Sequence, residues 1–131
     1  MAQSLHVPYV LVVDDDPFIR GFIVDILRDV GFEAHEAGCA EEALRGLGEH
    51  PEIDAVVTDV DMPGELNGIG LARRIGERWP RIGVIVISGG SSPVNSLPRA
   101  ARFLAKPFTA ARLLRAVAEL AGDPAPARAA S

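Results

Sequence analysis

Two β-branched runs in this chain end in the same way, and that shared ending restricts the fold more than any other feature. Val56–Val57–Thr58 runs into Asp59, with Asp61, Pro63 and Gly64 close behind; Val10–Leu11–Val12–Val13 runs into Asp14–Asp15–Asp16 and then Pro17. Consecutive β-branched residues suit a strand covered on both faces, the habit of parallel sheets. Proline cannot donate to a ladder, so each strand must stop near its acids. Open α/β sheets bind their ligands at the carboxyl ends of their strands. If these two ends are neighbours, the carboxylates of Asp14, Asp15, Asp16 and Asp59 crowd one small volume. Each close pair then repels by about 4 kcal/mol at an effective dielectric of about 20. Only a hard cation or a set of shared protons makes such crowding tolerable.

The rest of the pattern supplies covers for these strands. Asp16 followed by Pro17 starts a helix predicted over 17–29, and Gly31 closes it. Within it Phe18, Phe22, Ile26 and Val30 recur at helical spacing, with Ile19, Ile23 and Leu27 beside them. Strands are predicted over 32–37, 53–58, 83–87 and 102–105, after a first over 9–13. Helices are predicted over 40–49 and 67–79, the latter ended by Pro80, and Thr109 caps a last one running to about Leu120. The stretch 88–101 holds Gly89, Gly90, Pro93 and Pro98, so a loop or one distorted turn is expected where alternation calls for a full helix. Five strands alternating with helices predict an α/β, doubly wound parallel sheet with helices on both faces and a fourth helix short or missing. At 131 residues this is one domain, divided as an N-terminal extension 1–8, a folded unit 9–121 and a flexible tail 122–131. All strand carboxyl ends then open on one edge, which collects Asp14 to Asp16, Asp59, Ser88 and Lys106.

The balance of charge narrows the function. A net charge of −5 is the reverse of what phosphate backbones attract, so no nucleic-acid partner is expected. Cys39 is the only cysteine and can form no internal disulfide, which fits a reducing cytoplasm. No apolar run approaches the roughly 20 residues that span a bilayer, so no membrane partner is expected.

Each candidate residue has a plain reading. Asp16 alone satisfies the helix cap, which leaves Asp14 and Asp15 as solvated acids or as ligands for Mg2+, an ion that wants oxygen donors. Lys106 is a surface lysine unless its place after a short strand, with Pro107 fixing the chain direction, aims it at the acids; Pro107 is a candidate for a cis bond. Ser88 either begins a turn or contacts a group on Asp59, for which Gly89 leaves space. Phe103 reads as core.

Taken in order, Val12–Val13–Asp14–Asp15–Asp16–Pro17, Thr58–Asp59–Val60–Asp61–Met62–Pro63–Gly64, Ile87–Ser88–Gly89 and Phe103–Leu104–Ala105–Lys106–Pro107–Phe108 resemble the receiver domain of bacterial response regulators, over about Tyr9 to Leu120. The resemblance implies a flavodoxin-like sheet of strand order 2-1-3-4-5. It implies Asp59 as phosphoacceptor, Asp14, Asp15 and Asp59 as metal-binding acids, and Asp61 as a ligand through its backbone carbonyl. It implies Mg2+ as cofactor, with Mn2+ as substitute. Ser88, Gly89 and Lys106 are implied as the phosphoryl-contacting residues, and Ser88 and Phe103 as the switch pair. The implied partners are a histidine kinase or histidine phosphotransfer protein and an unknown downstream protein, with the chain a monomer or weak dimer. It is then no conventional enzyme: it phosphorylates itself from a donor and loses the group slowly. The loop Gly64–Glu65–Leu66–Asn67–Gly68 is one residue longer than the commonest version, as in receivers joined to hybrid sensor kinases and some free-standing ones. One alternative is a receiver-shaped interaction module that is never phosphorylated. Another is a haloacid-dehalogenase-like phosphatase, which Asp59–Val60–Asp61 also resembles, although Pro63 and the early acidic cluster depart from that pattern.

Overall fold

The computed structural model describes residues 7–90, 97–98 and 100–124. Five strands, β1 (Tyr9–Val13), β2 (Glu33–Ala37), β3 (Ile53–Asp59), β4 (Gly83–Ser88) and β5 (Ala101–Ala105), form one sheet in the order β2-β1-β3-β4-β5. Every neighbouring pair is parallel. The described helices are α1 (Pro17–Asp29), α2 (Ala40–Glu49), α3 (Gly68–Arg78) and α4 (Ala110–Ala121). The expectation of a short or missing helix after Ser88 falls largely on residues outside those described. Among the described residues, no helix is long and apolar enough to cross a membrane.

β4 is buried along its whole length and β1 and β3 at every position but Tyr9 and Asp54, as their β-branched runs require, and they divide the core by alternation. Leu11, Val13, Val56, Val84 and Val86 face α2 and α3, whereas Val10, Val12, Val57, Ile85 and Ile87 face α1 and α4. Helix starts follow local chemistry. Asp16 accepts from the amides of Phe18 and Ile19, Asn67 from those of Ile69 and Gly70, and Thr109 from that of Arg112.

Helix α1 corrects part of the sequence reading. Its buried face is Ile23, Val24 and Leu27, while Phe18 and Phe22, at the head of the apolar stripe, are 86% and 60% exposed. The helix has more apolar positions than one face can hold, and the sheet takes the row nearer its C-terminal half. Phe103 is half-buried and belongs to neither of the two core clusters; Leu104 is the core residue of β5.

Candidate functional site

Register brings the acids together. Val13 is paired with Thr58, so Asp14 and Asp59 leave adjacent strands at the same level. Asp59 is paired with Ile87 and Ser88 with Ala105, which puts Ser88 and Lys106 one and two strands away on the same edge. Asp14 and Asp59 are buried and Asp15 is exposed, and one carboxylate oxygen of each lies within 4.8 Å of the others. Asp61 is exposed just beyond, in the loop that leads to α3.

The backbone around these side chains is closely held. The Asp14 amide donates to Ala37 O at 3.1 Å, the Val60 amide to Ile87 O at 2.9 Å and the Lys106 amide to Ser88 O at 2.9 Å. Asp14 Oδ1 accepts from the Asp16 amide at 2.9 Å, and Arg20 donates to the Asp14 carbonyl and to Glu36. Ser88 Oγ accepts from the Gly90 amide at 3.1 Å. The Lys106–Pro107 peptide bond is cis.

Sequence reasoning missed Gly68. It opens α3, and its amide donates to Val60 O at 2.9 Å. A Cβ built there would stand 2.1 Å from the Asp59 carbonyl oxygen and 2.9 Å from Val60 Cα, so only glycine lets the helix start this close to the central acid. The only signal in the sequence was an Asn–Gly pair, which reads as a turn.

Electrostatics single out Asp59 and Asp14. Lys106 Nζ stands 3.3 Å from Asp59 Oδ1, an ion-pair separation, but is not aligned to donate to it. Oδ1 is sealed from solvent and has no hydrogen-bond donor among the described residues. At 3.3 Å the attraction is at most about 5 kcal/mol for an effective dielectric of about 20, and less here because the lysine side chain is 35% exposed. Burial pushes the Asp14 carboxyl above its ordinary value; the Asp16 amide and Lys106 pull it down, while the charges of Asp59 and Asp15 add to the rise. A buried, undonated oxygen beside two more carboxylates is the donor set a hard, oxygen-seeking cation requires, so these residues fit Mg2+.

Strand order and the gathering of acids at the carboxyl edge define the class, a flavodoxin-like doubly wound domain whose site lies at its strand ends. The chain belongs to the response regulator receiver domain family, whose family model matches residues 10–118. It is 37% identical over 110 residues to a putative NtrX-like response regulator of Rickettsia bellii, covering 80% of this chain and 23% of that protein. It is 34% identical over 103 residues to the response regulator receiver protein CpdR of Brucella abortus, covering 76% of this chain and 84% of that one. A receiver domain from Clostridium thermocellum superposes with a TM-score of 0.80 at 32% identity, covering 87% of this chain and 94% of that one. The chain therefore spans about a quarter of the length of the NtrX-like relatives and most of the length of CpdR.

Proposed function

We propose that this receiver domain accepts a phosphoryl group on Asp59 from a phosphohistidine of a partner protein and passes the signal on through altered protein contacts. The observation that carries this reading is the Asp59 carboxylate, nearly buried, facing Lys106 and left with an undonated oxygen beside Asp14 and Asp15.

Asp14, Asp15, Asp59 and the Asp61 backbone carbonyl would hold Mg2+, or Mn2+ in its place. When bound, the ion offsets the negative charge of the phosphoryl oxygens. The chain's own residues do the rest. With Oδ1 sealed, the donor meets Asp59 at its other oxygen. That oxygen bonds to phosphorus as the phosphorus–nitrogen bond breaks, and the departing imidazole keeps the electron pair and takes a proton. Lys106 steadies the charge on the transferred group, and the Ser88 hydroxyl and the space over Gly89 receive it. Once Ser88 turns toward the new oxygens, Phe103, half-buried on the adjacent strand, moves into the space it leaves. Reversing a two-state balance from about 1:99 to about 99:1 takes about 5.5 kcal/mol of differential binding. One charge-assisted hydrogen bond supplies about 1.5–3 kcal/mol, so Ser88 and Lys106 act together.

The donor is a histidine kinase or a histidine phosphotransfer protein, and it docks on the exposed Phe18–Phe22 face of α1, which begins immediately after the acids. Output runs through a downstream protein, in the cytoplasm. The deciding experiment is labelling with a small phosphodonor in Mg2+. Wild type takes up one phosphoryl group per chain and Asp59→Asn takes up none; wild-type labelling of that variant overturns the assignment.

A further inference from the structure

Away from the acids, three side chains from separate parts of the chain converge without a role in phosphoryl transfer. His35 lies in the middle of β2, His50 is the C-cap of α2, and Glu52 sits in the turn that leads into β3. His35 Nε2 and His50 Nδ1 both face the same oxygen, Glu52 Oε2, each at 3.3 Å, and the three ligand-type atoms all lie within 4.8 Å of one another. The two imidazoles stack with centroids 4.4 Å apart, and Tyr9 stacks on His35 at 5.4 Å, which pins that ring from the sheet side.

We infer that His35, His50 and Glu52 form a second metal site, which takes a borderline transition ion of the Zn2+ class rather than Mg2+.

The distances carry the argument. Charge-assisted N–H···O bonds run at about 2.7–2.9 Å, and both contacts here are longer, at 3.3 Å, the one from His35 being a long hydrogen bond to Glu52. Two ligands bonded to a tetrahedral ion at about 2.0–2.1 Å stand about 3.3–3.4 Å apart. The contacts thus have the length of an edge of a zinc tetrahedron. Two imidazole nitrogens and one carboxylate also make the three-ligand set that leaves the fourth position open. A cavity of about 270 Å³ adjoins the two histidines and is lined as well by Glu42, Arg45 and Glu49, which leaves room for a water to complete the set.

Nitrogen ligands keep this site apart from the acid pocket. Imidazole suits Zn2+, Ni2+ and Cu2+, whereas carboxylates and carbonyls suit Mg2+. The locations differ too. Glu52 lies next to Ile53, which pairs with Tyr9 at the amino end of the sheet, while Asp14 follows Val13 at the carboxyl end. A bound ion would tie edge strand β2 to the end of α2 and the start of β3.

The test is Zn2+ titration of the untagged chain in excess Mg2+, read by calorimetry, with Co2+ as a spectroscopic probe. One equivalent of Zn2+ is taken up, and Co2+ gives the intense visible bands of a four-coordinate ion. Even an outer-shell partner of a metal ligand is worth about 10–100-fold in affinity, so His50→Ala and the conservative Glu52→Gln each weaken Zn2+ binding by about 100-fold or more. Asp59→Asn leaves Zn2+ binding unchanged, which separates this result from the fate of the phosphoacceptor reading. No uptake by the wild type, equal affinity in Glu52→Gln, or loss of binding only in Asp14→Asn or Cys39→Ser would each overturn the site.

Discussion

Replacing Gly68 by alanine tests how tightly the central acid is built into the fold. In a solvent-facing helix the exchange stabilises by at most about 1 kcal/mol, because alanine loses less backbone entropy. At Gly68 the new Cβ meets the Asp59 carbonyl oxygen at 2.1 Å and its carbon at 2.8 Å, and both are backbone atoms that cannot swing aside. Overpacking of this kind costs about 1–3 kcal/mol, and rigid neighbours put Gly68 at the upper end. Net of the helix gain, the loss is about 2 kcal/mol. A domain of this size moves by about 3–5 °C per kcal/mol, so the melting temperature falls by about 6–10 °C. Gly21 is the control: it lies inside α1, where an added Cβ meets nothing within 4 Å. Gly21→Ala should raise the midpoint by about 2–4 °C through propensity alone. Circular-dichroism melts of wild type and both variants in metal-free buffer decide the matter. A Gly68→Ala protein that melts at or above the wild-type temperature, or two variants that move in the same direction, would refute the close approach of α3 to Asp59.

Two further outcomes are expected. Because burial and the neighbouring acids hold the folded Asp14 pKa above its ordinary 3.8, the folded state keeps that proton longer than the unfolded chain does, and metal-free stability falls as pH rises through that window. Asp14→Asn should therefore raise the metal-free melting temperature at neutral pH and flatten its pH dependence. It should also abolish the stabilisation by Mg2+, which in wild type is about 1.4 kcal/mol at ten times the dissociation constant; scanning calorimetry at several pH values checks both. Phe22→Glu should slow phosphotransfer from the partner protein by about tenfold or more while leaving labelling by a small phosphodonor unchanged, since a docking contact removed without loss of chemistry costs about 1.4 kcal/mol or more in binding alone; equal slowing with both donors would place Phe22 in the chemistry instead.

Much of the fold could be read from the sequence because its strands announce themselves twice, by a β-branched run and by an acid–proline stop. The same punctuation located Asp14, Asp59, Ser88 and Lys106 at strand ends, and parallel register alone then brings them to one edge. What escaped was whatever depends on distances between elements. Gly68 looks like any turn glycine until the Asp59 carbonyl is placed beside it. The apolar surplus of α1 does not say which row the sheet takes, so the exposure of Phe18 and Phe22 could not be read from spacing. His35, His50 and Glu52 share no motif; the β2 register and the end of α2 bring them together.

The strand order has a consequence for a chain still being made. The first three acids emerge early and Asp59 near the midpoint, but the lysine that faces it comes only after β5, an edge strand that pairs only with β4. A nascent chain that has released β1 through β4 owns its acids and its serine without their counter-charge. On the phosphoacceptor reading proposed above, competence to receive a signal therefore arrives only with the last strand.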